Sequence, residues 1–125
     1  MNNVQFDYQY RDAQGSKACS YVVFTNPDNL DLVEIQLSLE NVFWETEFFV
    51  ADQIRIPELF LSVAGYADPN LDHCFHHFDS LVLTSLPATD SHNRSVREFV
   101  SEVQHQSLIG WQLFDPVRRF QPSHQ

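Results

Sequence analysis

Apolar and polar residues alternate without interruption near the beginning of the chain, and this pattern constrains the fold more than any other. Val4, Phe6, Tyr8 and Tyr10 alternate with Gln and Asp side chains. Successive side chains of a β-strand point to opposite faces, so the alternation predicts a strand with one buried and one polar face. We therefore expect a sheet that is covered by other elements on one side.

A second strand is predicted immediately after the first. Residues 18–24 are rich in aromatic and β-branched side chains, and residues 13–16 form a short link that contains Gly15. Two such runs joined by a short glycine-containing turn are typical of a β-hairpin. The sequence Asn26-Pro27-Asp28 is expected to end the second strand.

Two capping boxes predict where two helices begin. Asp31 is followed three positions later by Glu34, and Ser95 is followed by Glu98 at the same spacing. In a capping box the first side chain accepts a hydrogen bond from a free amide of the helix, and the second reaches back to the cap. Apolar residues then recur at spacings of three and four in both segments. Gly110 is predicted to end the second helix in the left-handed conformation.

The remaining segments complete an α+β prediction. Residues 46–51 and 73–83 have the composition of strands, and residues 62–72 have that of the longest loop. We predict a single α+β domain over residues 1–112, with a largely antiparallel sheet of four or five strands and two helices packed on one face. Residues 113–125 are expected to form a partly ordered tail.

The charge balance narrows the classes of partner. The chain has 17 acidic residues against seven basic ones, a net charge of −10. Such a surface repels phosphate backbones and anionic lipids, so we expect neither nucleic acid nor a membrane as partner. The amino-terminal residues lack the apolar segment of a signal peptide, and two cysteines are too few for a disulfide framework. We therefore expect a cytoplasmic protein.

No catalytic signature is present in the sequence. The glycines Gly15, Gly65 and Gly110 are far apart, which excludes a glycine-rich phosphate loop or a dinucleotide fingerprint. The chain also lacks a G-x-S-x-G nucleophile motif. We predict no catalytic residue, and the sequence favours a non-enzymatic function.

One local cluster has the residue types of a metal site. His73, Cys74, His76 and His77 lie within five consecutive positions, and imidazole and thiolate are preferred zinc ligands. On a strand, Cys74 and His76 would share one face while His73 and His77 share the other, so only two of them can easily converge. Cys19 or His92 would have to complete the site. The alternative is a half-exposed row of histidines beside a cysteine that packs in the core.

The aromatic content suggests a protein interface. Phe, Tyr and Trp make up 14% of the chain, and an exposed aromatic patch among acidic groups would bind a basic protein or a second copy. Our leading hypothesis is a non-enzymatic protein-interaction or regulatory domain. The first alternative is a metal-binding protein or small metal-dependent enzyme that uses the cluster at residues 73–77. The second is an acidic mimic of nucleic acid.

Four segments of the chain resemble a group of small uncharacterised bacterial proteins. They are Phe6-Asp7-Tyr8-Gln9-Tyr10-Arg11-Asp12-Ala13, Phe24-Thr25-Asn26-Pro27, the run from Ala51 to Phe60, and Asp72-His73-Cys74-Phe75-His76-His77-Phe78. The resemblance implies a bacterial, cytoplasmic, single-domain protein, and it brings no activity, cofactor or partner with it. In that group an acidic residue can replace the second histidine of the pair, which implies that His77 is not an essential ligand.

Overall fold

The chain folds around one antiparallel sheet in a computed structural model, which describes residues 2–60 and 73–116. The elements are β1 (Asn3–Arg11), β2 (Lys17–Phe24), α1 (Leu32–Glu40), β3 (Phe48–Phe49), a 3₁₀-helix (Ala51–Ile54), β4 (His76–Thr84) and α2 (Val96–Ile109). The loop predicted at residues 62–72 and the predicted tail beyond residue 116 lie outside the described residues. The α+β prediction is confirmed, with four strands in the described ranges.

The four strands are arranged in the order β2-β1-β4-β3. The predicted hairpin is confirmed, because β2 pairs with β1 in a continuous antiparallel register from Val4 opposite Phe24 onward. Between β1 and β4 the register shifts: Asp7 lies opposite Ser80, but Tyr8 lies opposite Phe78. Asp79 is therefore an extra residue, and such a β-bulge redirects the side chains next to it.

The inner face of β1 forms the centre of the core, as the alternation predicts. Val4, Phe6, Tyr8 and Tyr10 are each no more than 1% exposed. Phe6 contacts five other aromatic rings at centroid separations of 5.3–6.3 Å, those of Tyr8, Phe43, Phe49, Phe78 and Phe99. Aromatic side chains bury a large area in such stacked, tilted and edge-on contacts, so this cluster seals one side of the sheet.

Both helices pack on that sealed side. Ile35 and Leu39 of α1 belong to the core cluster, at positions that the helical periodicity predicts. Phe99 of α2 stacks on Phe24 at 4.3 Å and contacts Phe6 at 5.3 Å. The opposite face of the sheet therefore receives neither helix.

The predicted helix ends are partly confirmed. Ser95 and Glu98 form the predicted capping box of α2. The capping box predicted for α1 is wrong. The side chain of Asp31 accepts from the amide of Val33, the second residue of the helix, and not from the amide of Glu34, the third residue, as a capping box requires. Gly110 has a φ of 103° with a ψ of 140°, so its positive φ is as predicted but its conformation is not left-handed helical. Glycine reaches that extended region without the steric cost that a Cβ atom would add.

The strand predicted at residues 46–51 is largely wrong. Glu45 and Thr46 have positive φ angles of 50° and 68°. They belong to a tight turn in which the amide of Phe48 donates to the carbonyl of Trp44 at 2.8 Å. Only Phe48 and Phe49 pair with β4 before the 3₁₀-helix begins at Ala51. The aromatic composition favoured a strand, but turn formation shortened it. The strand predicted from residue 73 likewise begins later, at His76.

A buried ion pair joins α2 to the loops before it. The guanidinium of Arg94, whose side chain is 3% exposed, donates to both carboxylate oxygens of Asp90 at 2.9 Å. It also donates to Glu102 at 2.8 Å and to two carbonyl oxygens, those of Ile54 and Arg55. Every guanidinium nitrogen is thus bonded, which is the condition under which a buried charge is tolerated.

Candidate functional site

The outer side of the sheet carries no helix in the described part of the chain. We call it the open face and define it by these side chains of β1, β2 and β4: Gln5, Asp7, Gln9, Cys19, Tyr21, His77, Ser80 and Val82. Val23 of β2 points to the same side but is fully buried, so it lies outside the open face. Tyr21 is 48% exposed and Val82 is 40% exposed. Large apolar side chains that remain in solvent are candidates for contact with another molecule.

A shallow depression of about 200 Å³ lies on the open face. Its lining includes Asp7, Cys19, Tyr21 and Asp79. Asp7 is held in place from two sides, because Gln5 donates to one carboxylate oxygen at 2.7 Å and Ser80 donates to the other at 3.1 Å. The bulge in β4 places Asp79 in the lining of the same depression as Asp7. Two carboxylates beside an aromatic ring are suited to receive a cationic side chain with an apolar stem.

Four aromatic rings lie at and next to the edge of the sheet that β3 forms. This outer aromatic cluster consists of Trp44, Phe48, Phe75 and His77. Phe75 contacts Trp44 at 5.4 Å and Phe48 at 5.9 Å, and Phe48 contacts His77 at 4.5 Å between ring centroids. Trp44 is 47% exposed. The cluster therefore extends the open face with a partly exposed aromatic surface.

His77 connects the outer aromatic cluster to an acidic group. Its Nδ1 lies 3.2 Å from a carboxylate oxygen of Glu47. Burial lowers the pKa of His77 below its ordinary value, and the attraction of Glu47 opposes this without outweighing it. His77 is accordingly neutral at physiological pH, and its hydrogen bond to Glu47 fixes the ring.

His76 precedes His77 in β4, and its side chain points to the inner face of the sheet, where the environment is entirely different. Its side chain is fully buried among the rings of Tyr10, Phe60 and Phe49. Its Nε2 accepts a hydrogen bond from the amide of Leu59 at 2.9 Å, so Nδ1 carries the proton. Burial, with repulsion from the neighbouring histidines, lowers the pKa of His76 to about 3. Nδ1 has no partner among the described residues.

The other two predicted ligands lie at the beginning of this segment. His73 accepts from the amide of Phe75 through Nδ1 at 3.1 Å, and its Nε2 contacts the carbonyl of Arg11 at 2.6 Å. Both of its nitrogens are therefore occupied. Cys74 is buried and Cys19 is exposed, and both are free thiols.

The structure separates the four residues of the predicted metal cluster. His76 points inward and His77 outward, as strand alternation predicts. Within residues 2–60 and 73–116, no three His, Cys, Asp or Glu side chains are arranged to hold a metal ion. A metal bound at His76 would have to displace the hydrogen bond from Leu59 or the proton on Nδ1. The zinc hypothesis for His73, Cys74, His76 and His77 stays a prediction. The proposed remote donor His92 contacts Arg55 at 3.2 Å instead.

Sequence reasoning missed the depression although part of its signal was present. The alternation of β1 already placed Asp7 on the outer face opposite the buried aromatic residues. The position of Asp79 depends on the bulge, which has no marker in the sequence. The ion pair of Arg94 with Asp90 was missed too. The two residues are four positions apart, but they precede α2, and outside a helix this spacing does not predict a contact.

Comparison with protein families, with curated proteins and with solved structures finds no match to this chain. No helix within the described ranges is long and apolar enough to cross a lipid bilayer. What the site does must therefore be argued from its own chemistry.

Proposed function

We propose that this α+β protein is a non-enzymatic interaction domain whose open face binds a basic segment of another protein. The observation that carries this proposal is the depression on the open face, whose lining includes Asp7, Asp79 and the half-exposed Tyr21. A lysine or arginine of the partner would place its charge between the carboxylates and its aliphatic stem against the ring.

The overall charge supports the choice of a basic partner. The net charge of −10 attracts basic segments from a distance and speeds their encounter with the face. The same charge disfavours nucleic acid as a ligand. Electrostatic attraction gives orientation and rate, and buried contacts must supply the remaining affinity.

The outer aromatic cluster supplies those contacts in this proposal. Trp44 is half exposed and rests edge-on against Phe75, so its ring is already ordered before a partner arrives. Preordered aromatic side chains lose little conformational entropy on binding and dominate interface energies. We also propose a cytoplasmic site of action, because an exposed free thiol such as Cys19 suits a reducing compartment.

Calorimetric titration with synthetic peptides tests this function. One peptide alternates lysine with tyrosine, and its counterpart has glutamate in place of lysine. We expect the full chain to bind only the basic peptide. The double substitution Asp7→Asn with Asp79→Asn removes two exposed ion pairs, each contributing up to about 1 kcal/mol, and should weaken binding about tenfold.

A matched control removes two charges elsewhere. The pair Glu34→Gln and Glu40→Gln lies on α1, on the other side of the sheet, and should leave the affinity nearly unchanged. Equal binding of both peptides, or equal losses in the two double variants, would contradict the proposal.

A further inference from the structure

β2 forms one edge of the sheet, and within residues 2–60 and 73–116 its outward backbone groups have hydrogen-bond partners at one end only. At Val23 the amide donates to the hydroxyl of Thr89 at 2.9 Å, and the carbonyl accepts from the amides of Thr89 and Asp90. A neighbouring segment of the same chain thus covers this end of the edge, in the way that an added strand would.

The alternation of hydrogen bonding along β2 identifies the other outward groups. In an antiparallel pair, residues whose backbone points at the neighbour alternate with residues whose backbone points away. Since Val23 points away from β1, Lys17, Cys19 and Tyr21 do so as well. Among the described residues, no hydrogen bond engages the amide or carbonyl groups of Cys19 and Tyr21 on that side. This part of the edge can therefore form backbone hydrogen bonds with another strand.

We propose that a second copy of this chain binds at this edge, by antiparallel pairing of the two β2 strands about Cys19. In this register Cys19 faces Cys19 of the second copy, and Lys17 faces its Tyr21. By symmetry Tyr21 also faces Lys17 of the second copy, which makes three pairs. All three are hydrogen-bonded pairs, because each uses the outward backbone groups just identified. The product is one continuous eight-stranded sheet, twice the four strands of one chain.

Charge favours a second copy at this edge. Residues 13–27 contain no Asp or Glu and are the longest such stretch in a chain with 17 acidic residues. Two copies that approach here bring their least repulsive segments together. Lys17 then lies across from a tyrosine ring instead of another cation, which is a favourable cross-strand pair.

The register also determines where the turn between β1 and β2 lies in the dimer. Pairing about Cys19 places the segment around Thr89 of one copy beside Gly15 of the other. A Cβ atom added at Gly15 would meet nothing within 4 Å in the same copy, so the turn is not packed against its own chain in that direction. Cys19 and Tyr21 of the paired strand also line the depression on the open face. The pairing itself uses the backbone groups of the sheet edge, so it does not depend on the proposed function.

Mass measurement and a proline substitution test the dimer. Sedimentation equilibrium of the full chain should give twice the 14.6 kDa of one copy. Cys19→Pro removes the outward amide at the centre of the pairing, and proline is tolerated in an edge strand when its nitrogen faces solvent. This variant should be a folded monomer by circular dichroism, whereas Cys19→Ser should remain dimeric.

Thiol crosslinking tests the register independently of the proline variant. With Cys74→Ser as background, diamide should oxidise two Cys19 thiols to a disulfide, with two electrons and two protons passing to the diamide. Cα atoms of a hydrogen-bonded antiparallel pair are about 5.5 Å apart, within the range of a disulfide. In a chain lacking both native cysteines, Lys17→Cys should crosslink only when mixed with a Tyr21→Cys chain. Ser20→Cys, which faces the core side, should not crosslink.

A monomeric wild-type chain would overturn the proposal. So would a dimer that persists in Cys19→Pro and forms no Cys19 crosslink, because another surface would then hold it together. Protection of the β2 amides from hydrogen exchange only when a foreign extended peptide is added would assign the edge to a different protein. Loss of peptide binding in the Asp7 and Asp79 double variant with an intact dimer would separate the two proposals.

Discussion

Arg94 and His76 are both buried titratable side chains, but the protein treats them in opposite ways. Arg94 stacks beside Phe24 and Phe99 and has partners for every guanidinium nitrogen. His76 packs among aromatic rings near Tyr10, and within the described ranges its ring has one hydrogen bond, from the amide of Leu59. Since Phe24 lies opposite Val4 and His76 contacts Tyr10, the two side chains lie at opposite ends of β1.

The difference shows how burial selects a protonation state. Burial by itself would lower the pKa of Arg94, but the bonds to Asp90 and Glu102 outweigh it and raise that pKa. Burial also raises the pKa of Asp90 by itself, and the bonds to Arg94 reverse that effect. His76 has no such compensation, so its neutral form is favoured. The Arg94 end is therefore fixed as an ion pair, while the His76 end is sensitive to acid.

The largest expected effect comes from breaking the ion pair. Arg94→Met should lower the free energy of unfolding by about 3–5 kcal/mol, because it leaves the Asp90 carboxylate buried without its partner. Urea denaturation at neutral pH measures this loss. The control is Arg97→Met, because Arg97 is more than half exposed and its pair with Asp28 lies at the surface. It should change stability by less than about 1 kcal/mol. Equal effects of the two substitutions would show that the buried network is not a stabilising feature.

The second prediction concerns acid and the His76 end. The pKa of His76 falls from an ordinary value near 6.5 to about 3 on folding, so the unfolded chain binds a proton that the folded chain excludes. Stability is then complete above pH 6.5 and decreases as the pH falls toward 3. Between pH 7 and pH 5 the loss from this group should be about 2 kcal/mol.

Urea denaturation at the two pH values isolates this contribution. In His76→Gln the group no longer titrates, so the variant should lose about 2 kcal/mol less than the wild type over the same interval. The control His105→Gln alters an exposed histidine of α2 and should retain the full pH dependence. An unchanged pH dependence in His76→Gln would mean that His76 takes up a proton in the folded state.

The sequence predicted the surroundings of His76 better than those of Arg94. Strand alternation placed Tyr8 and Tyr10 inside and separated His76 from His77, because side-chain direction in a strand follows from local geometry alone. It also placed Asp7 on the open face. The Arg94 network is held by carbonyls of the 3₁₀-helix region and by Glu102, and such contacts between distant segments leave no periodic pattern. The bulge at Asp79 and the turn at Glu45 depend on tertiary packing in the same way.

The smallest expected effect concerns a neutral hydrogen bond at the His76 end. The hydroxyl of Tyr8 donates to the carbonyl of Pro57 at 2.6 Å, and burial raises the pKa of this hydroxyl, so it stays a donor. Tyr8→Phe should lower the free energy of unfolding by about 1 kcal/mol, the usual contribution of one neutral hydrogen bond. Urea denaturation measures this loss, with Tyr21→Phe as a control at an exposed ring. A loss as large as that of Arg94→Met would mean that neutral bonds hold the His76 end as firmly as charges hold the other.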